Sequence, residues 1–256
     1  MTQAWVVIPT YDEAENLRPL VTAVRVALAT GAPDVSCTIL VVDDDSPDGT
    51  GRIADRLAAA HGDVEVLHRP EKAGLAGAYV EGFRHALAAG ADYVFEMDGD
   101  FSHDPADLPR LLDAARDGAD VVLGSRYVRG GGVDGWAWNR QLLSRAGGLY
   151  ARIVLGTSIR DLTGGFKCFR ADALRAIDVG AVVSDGFAFQ VEATYRAARN
   201  GLRIVEVPIT FGARRAGRSK MSAAIAIEAL WRIPGLRLGA GRRAAPPSPA
   251  VSALPG

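Results

Sequence analysis

Two aspartates, Asp98 and Asp100, stand at the exit of the apolar run Tyr93-Val94-Phe95-Glu96-Met97, and the turn Phe101-Ser102-His103-Asp104 separates them from Pro105. Carboxylates spaced i, i+2 supply hard oxygen ligands that suit Mg²⁺ or Mn²⁺, ions that commonly share their shell with substrate phosphates. In an open α/β sheet such a strand exit faces the crevice where ligands bind, because side chains leave the packed core there and the next helix offers free backbone N–H groups. Asp104 followed by Pro105 reads as a helix N-cap with Pro at N1. That accounts for Asp104 and leaves Asp98 and Asp100 for chemistry.

A second acidic tip follows the run Thr38-Ile39-Leu40-Val41-Val42, in Asp43-Asp44-Asp45-Ser46-Pro47-Asp48-Gly49-Thr50. Asp44-x-Ser46-x-Asp48-Gly49, with Asp55 at the twelfth position, imitates part of an EF-hand loop. The context argues otherwise: an EF-hand needs a helix before its loop and a bidentate Glu at the end, whereas a β-branched strand precedes this one. A hydrogen-bonded turn with Pro47 and Gly49 as breakers is the commoner alternative. Asp43, at the strand end, is a candidate acceptor for a nucleobase or ribose.

Basic residues gather in two further places. Asp120 to Arg126 reads as a strand ending in a base, followed by a Gly-rich segment from Tyr127 to Trp138 able to close over a substrate. A helix is expected from Asn139 to about Leu155, on which Arg140 and Ser144 lie four apart and share one face. With Arg126 they could hold a phosphate by charge-assisted hydrogen bonds. The loop Ala213-Arg214-Arg215-Ala216-Gly217-Arg218-Ser219-Lys220 has the make-up of a diphosphate clamp.

The elements that must position these groups alternate. Trp5-Val6-Val7-Ile8 is a buried-strand pattern ended by Pro9, and the spacing of Leu17, Leu20, Val21, Val24 and Leu28 predicts a helix after it. Further helices are expected near 51–60, 76–89 and 111–115, with a short strand at 64–67, and later a turn and strand over Asp161–Arg170, a helix from Asp185 to about Asn200 and a strand over 202–211. Strand and helix in turn predict an α/β fold with a mostly parallel sheet flanked by helices. A helix from Met221 to about Ile233 is expected to pack on the domain, with a membrane-surface role as its alternative.

At 256 residues and 48% hydrophobic composition the chain can bury a sizeable core. The net charge of −1 argues against a nucleic-acid binder, so an anionic ligand must be met locally. No secretory leader pattern opens the chain, and no apolar run reaches the roughly 18 residues of a membrane span, so a cytoplasmic location is expected. Cys37 and Cys168 read as core thiols.

Taken together, Pro9-Thr10-Tyr11-Asp12-Glu13, Val42 to Thr50, Met97 to His103, Gly124-Ser125-Arg126-Tyr127, Asp161 to Phe166 and Gly217-Arg218-Ser219-Lys220-Met221 resemble the polyprenol-phosphate (dolichol-phosphate) mannosyltransferases, inverting family-2 glycosyltransferases of the GT-A, Rossmann-like type. The resemblance covers roughly residues 5 to 230 and implies one GT-A domain over 1–238, while the Pro/Ala-rich composition of 239–256 is expected to leave a disordered tail. It implies transfer of mannose from GDP-mannose to a polyprenyl phosphate at the cytoplasmic face of a membrane, with Mg²⁺ or Mn²⁺ as cofactor. By motif match, Pro9, Tyr11, Glu13, Val41 and Asp43 seat the guanosine; Asp98, Asp100 and Ser102 bind the cation, with Gly99 between them where Ala is usual. Arg214 and Lys220 fall on the diphosphate, and Arg126, Arg140 and Ser144 on the acceptor phosphate or nearby sugar. Asp100, Arg126, Arg140 and Ser144 are thus the catalytic candidates. Many relatives carry C-terminal membrane helices that this chain lacks, which leaves room for a separate membrane-anchoring partner. The alternatives are another donor, UDP-glucose or a UDP-N-acetylhexosamine, or a non-catalytic partner subunit of a membrane glycosyltransferase.

Overall fold

Val, Ile and Leu runs without polar interruption are buried on both faces, and here they form the middle of a sheet. The computed structural model describes residues 1–72, 74–182, 186–213, 232–237 and 252–253. The strands are β1 (Thr2–Thr10), β2 (Val35–Asp43), β3 (Val64–His68), β4 (Tyr93–Glu96), β5 (Val121–Ser125), β6 (Gly132–Val133), β7 (Lys167–Arg170), β8 (Ile204–Pro208), β9 (Thr210–Phe211) and β10 (Ser252–Ala253). The helices are α1 (Ala14–Gly31), α2 (Thr50–Ala60), α3 (Leu75–Ala88), α4 (Leu108–Arg116), α5 (Trp138–Leu155), α6 (Ala171–Ile177) and α7 (Gly186–Arg199). A 3₁₀ turn over Pro105–Asp107 precedes α4, and Asp104 caps it by accepting from the Ala106 amide at 2.9 Å.

The main sheet runs β10-β8-β5-β7-β4-β1-β2-β3. Every pairing is parallel except those of β7, which runs against both β4 and β5. β6 and β9 form a separate parallel pair. Alternate residues of each strand feed two cores: Trp5, Val7, Leu40 and Val42 pack with α3 and α7 on one face, and Val6, Ile8, Ile39 and Val41 pack with α1 and α4 on the other. Cys168 is fully buried as expected; Cys37 is half-buried instead, packed at the core's margin.

Two local departures have clear causes. The strand expected over 202–211 divides after Pro208, which lacks a backbone donor, and the Ile209 amide turns to the Ser125 carbonyl at 3.1 Å. Helix α6, unannounced by any long apolar period, follows β7 directly. The parts of the expected tail over 239–256 other than Ser252–Ala253, which pair with β8, lie outside the described residues, as does Met221 to Trp231.

A buried polar cross-link pins β4. Glu96 faces Lys167 of β7 in register, both fully buried, with Nζ 3.5 Å from Oε2. Lys167 also donates to the side-chain oxygen of Gln190 on α7, and Gln190 Nε2 donates to Glu96 Oε1. Burial pushes the Glu96 carboxyl up to about 7 against the opposing Lys167 charge, and burial likewise draws the lysine down. Breaking such a pair from one side is costly, because the remaining charge stays buried and unpaired. Lys167→Met is therefore expected to lose about 3–5 kcal/mol in urea unfolding. Adding Glu96→Gln to that variant should recover much of the loss; additive losses would show that the two groups do not interact.

Candidate active site

Parallel pairing of β1 with β2 and β4, and the two antiparallel pairings of β7 with β4 and β5, bring the C-terminal ends of β1, β2, β4 and β5 to one end of the sheet. The chain winds outward from β1 to β2 and β3, then returns to place β4 on the other side of β1. That reversal is a topological switch point, where the crevice of an open α/β sheet lies. Pro9 and Asp98 emerge on its two sides. They are close: a Cβ added to Gly99 would sit 3.3 Å from the Pro9 carbonyl oxygen and 3.6 Å from Glu13 Cγ.

At the β4 exit, half-buried Asp98 accepts at Oδ1 from the Tyr79 hydroxyl (3.2 Å), and its amide donates to Nδ1 of His103 (3.2 Å). An accepting Nδ1 places the ring proton on Nε2. His103 is buried, stacked on Phe166 at 4.9 Å and edge-on to Phe211 at 5.3 Å. Burial, helped by the Arg126 charge, holds its pKa below the usual imidazole value against the pull of Asp98 and Asp100. Asp100 is buried too and accepts the Ser102 amide at 2.9 Å. Between them Phe101 adopts φ 63°, a left-handed conformation that costs a non-glycine residue roughly 1–2 kcal/mol. Ser102 is buried, its carbonyl fixed by the Gly212 amide at 2.9 Å.

Among the described residues no three His, Cys, Asp or Glu side chains gather as a metal cage. Two carboxylates and a hydroxyl are still a hard-oxygen set. It suits Mg²⁺ or Mn²⁺, which complete their shells with water and phosphate oxygens.

On the β1 and β2 side, Asp43 is buried and oriented. Its Oδ1 accepts from Thr10 Oγ1 (3.1 Å) and Ser46 Oγ (2.6 Å), and its Oδ2 from the Ser46 amide (3.2 Å). The Lys72 ammonium lies 3.7 Å over the Tyr11 ring. Glu13 is buried at the start of α1, accepting from Asn16 at 2.7 Å. The Val41 side chain is fully buried in the core, so its backbone is what it can offer a ligand.

At the β5 exit Arg126 is only 7% exposed. Its Nε and Nη2 form a fork on Asp161 at 2.8 and 2.7 Å, its amide reaches the same carboxylate at 2.9 Å, and Nη2 also donates to Thr163 at 2.7 Å. Burial alone would raise the Asp161 carboxyl; the Arg126 charge and the hydrogen bonds outweigh it and hold it below the usual range. Behind the pair, buried Glu206 of β8 accepts from the amides of Arg160 and Asp161 and from Ser125 Oγ, at 2.7–2.9 Å. The rings of Tyr127, Trp136 and Phe211 surround the guanidinium at 5.1–5.9 Å. Phe211 thus touches both His103 and Arg126, which brings the β5 exit beside the β4 tip.

The Gly-rich segment is braced. Gly132–Val133 pair with β9, Trp136 lies under Arg140 at 3.9 Å, and the Tyr127 hydroxyl donates to Ser144 at 2.6 Å. Arg126, Arg140 and Ser144 therefore share one neighbourhood, each held by an aromatic residue of that segment. Arg214 and Lys220 lie outside the described residues. Sequence reasoning missed Tyr79, Asp161 as a partner of Arg126, and Glu206. Tyr79 and Glu206 sit inside a helix and a strand where nothing in the local pattern sets them apart.

Residues 5–178 match the model of the family described as glycosyl transferase family 2. The chain is 54% identical over 224 residues to an undecaprenyl-phosphate mannosyltransferase of Micrococcus luteus, covering 88% of this chain and 89% of that one. It is 49% identical over 229 residues to a polyprenol monophosphomannose synthase of Mycolicibacterium smegmatis, covering 89% and 84%. A mannosyltransferase from Pyrobaculum calidifontis, solved with GDP-Man and Mn²⁺, aligns with a TM-score of 0.60 over 93% of this chain and 70% of that chain, at 18% identity. That likeness shows the GT-A fold.

The fork on Arg126 makes a pH-dependent test. Asp161→Asn should destabilise the protein at pH 7 by about 3–5 kcal/mol, because the guanidinium stays buried without its counter-charge. A depressed carboxyl stabilises fully above the ordinary value of about 3.9 and loses that contribution as pH falls through the lowered one. The stability gap between wild type and variant, measured by chemical denaturation, should thus be constant from pH 8 to 5 and close below about pH 4.

Proposed function

The chain belongs to glycosyl transferase family 2, and we propose that it transfers mannose from GDP-mannose to the phosphate of a polyprenyl monophosphate, with inversion, giving polyprenyl-phosphate-mannose and GDP. The observation that carries this reading is the junction of the Asp98/Asp100 tip with Arg126 through His103 and Phe211. About half identity to two enzymes named for mannose and polyprenyl phosphate supports the choice of substrates.

In this reading Asp98, Asp100 and Ser102 hold Mg²⁺ or Mn²⁺, which when bound supplies positive charge for the departing diphosphate. Pro9, Tyr11, Glu13, the Val41 backbone and Asp43 receive the guanosine, and Arg214 and Lys220 serve the diphosphate. Gly99 keeps the floor between Pro9 and the tip thin. Arg126, fixed in direction by Asp161, works with Arg140 and Ser144 on the acceptor. A phosphate monoester has a second pKa of about 6, so its oxygen is largely anionic at neutral pH and needs aiming more than deprotonation. One acceptor oxygen forms its bond to the anomeric carbon from the face opposite the diphosphate as the bond to the diphosphate breaks, and GDP leaves with the electron pair.

Access to a lipid acceptor comes from α5. Trp138, Leu142, Leu149 and Ile153 recur on one stripe of this helix, and with Leu143 they are 53–77% exposed. Monomeric proteins seldom leave such a stripe bare, and one on the helix that carries Arg140 and Ser144, on the face turned away from them, suits a helix lying in the headgroup region. No helix among the described residues is long and apolar enough to cross a membrane. The enzyme then works peripherally, at the cytoplasmic face, with α5 in the surface role that the sequence offered to Met221–Ile233. A separate anchoring subunit is compatible with that placement.

Incubation with labelled GDP-mannose, Mg²⁺ or Mn²⁺ and a short polyprenyl phosphate should put label into the organic phase. Asp100→Ala should lower the rate by at least about a hundredfold. Label arriving instead from UDP-glucose or a UDP-N-acetylhexosamine would replace the donor, and no transfer from any of them would overturn the enzyme reading.

A further inference from the structure

The loop that imitates a calcium site has its oxygens aimed at the protein's own backbone. Three successive amides at the start of α1 donate into it: Asp12 to Ser46 Oγ (3.2 Å), Glu13 to Thr50 Oγ1 (2.9 Å) and Ala14 to Asp48 Oδ2 (3.0 Å). Asp48 Oδ1 is taken by the amide and hydroxyl of Thr50, at 2.9 and 2.6 Å. Asp44 is turned away onto Arg69 at 2.6 Å. The first amides of a helix lack partners within it, and Glu13, the N-cap of α1, supplies no side-chain cap. The β2–α2 loop does so from outside.

This cap ties together the parts that receive the nucleoside. Ser46 Oγ accepts the Asp12 amide and gives its proton to Asp43 Oδ1, so a single oxygen joins the loop bearing Tyr11 and Glu13 to the Asp43 carboxylate. Asp12 and Asp45, on either side of that junction, hold left-handed φ of 55° and 54°. Strain of this kind persists where the surrounding bonds over-determine it. Asp43 Oδ1 already accepts two hydroxyls, whereas Oδ2 accepts one amide, with His68 Nδ1 4.0 Å away, and keeps a lone pair for a further donor. Gly51 leaves room for that oxygen, since a Cβ there would fall 2.7 Å from Oδ2 and 3.2 Å from His68 Cε1.

We propose that Ser46, Asp48 and Thr50 are positioning residues for nucleoside recognition, locking the β1 tip to the Asp43 carboxylate so that its Oδ2 meets a base with adjacent N–H donors. Guanine presents such an edge, while uracil offers one N–H. The proposal rests on the reading of the chain as a GDP-mannose-dependent transferase and adds to it what sets the selectivity.

Ser46→Ala should weaken GDP binding by calorimetry and raise the donor KM about tenfold, the scale of a lost hydrogen bond to a charged group, with kcat and acceptor KM nearly unchanged. Its preference for GDP over UDP should fall in proportion, and Ser46→Thr, which keeps the hydroxyl, should restore both. Gly51→Ala should weaken GDP in the same way through Oδ2. GDP binding by Ser46→Ala equal to wild type, or a fall in kcat with donor KM unchanged, would overturn the proposal. Amide exchange separates the lock from the donor assignment: Asp12, Glu13 and Ala14 should be protected without ligand and lose protection in Asp48→Ala. Fast exchange in wild type overturns the lock. Protected amides in a wild type that ignores GDP overturn the donor assignment, and with it the proposed selectivity.

Discussion

The Arg126–Asp161 fork is the constraint on which the rest of the site depends. A guanidinium and a carboxylate lie together almost wholly out of water, and each is tolerable there because the other's hydrogen-bonding groups are filled. Glu206 secures the arrangement from behind through two amides and Ser125, so β5, β8 and the Arg160–Thr163 turn meet at one point. Three aromatic rings from the adjoining segments then close around the cation. One of them, Phe211, also packs on His103, whose ring nitrogen takes the Asp98 amide. Position is thereby handed from the basic end of the crevice to the acidic end through a short chain of contacts.

Much of this was legible in the sequence where local chemistry and period agreed. Trp5-Val6-Val7-Ile8 and Thr38 to Val42 fall into central strands because continuous apolar runs have no solvated face to offer. Asp104-Pro105 starts a helical turn, so Asp98 and Asp100 stand apart from capping duty as expected. Less legible was everything set by partners far away in the chain. The reversed direction of β7 has no local signature, since Lys167 to Arg170 would alternate equally well in either sense. Glu206 sits in a strand whose alternation suggests a wet face, yet it is buried because β5, β10 and the turn at Arg160 surround it.

The acidic loop after β2 shows how a motif can be present with its chemistry redirected. Its residue types match a cation loop, but a strand ahead of it and a helix start beside it bring amides onto the oxygens that an ion would need. The helix end and the carboxylates satisfy one another. Exposed apolar residues on α5 are the reverse case: their spacing announces an amphipathic helix, but which side meets protein and which stays bare depends on packing that no local window contains.

The central claim is that the aspartate tip and the Arg126 neighbourhood form one crevice holding both reactants. Phosphorus NMR with Mn²⁺ tests this directly, because the paramagnetic ion broadens nearby nuclei with a steep dependence on distance. With GDP and a short polyprenyl phosphate both bound, the diphosphate signals and the lipid phosphate signal should all broaden, and Asp98→Ala should sharpen the lipid phosphate signal. Broadening confined to GDP, with the lipid phosphate bound but sharp, would contradict the claim.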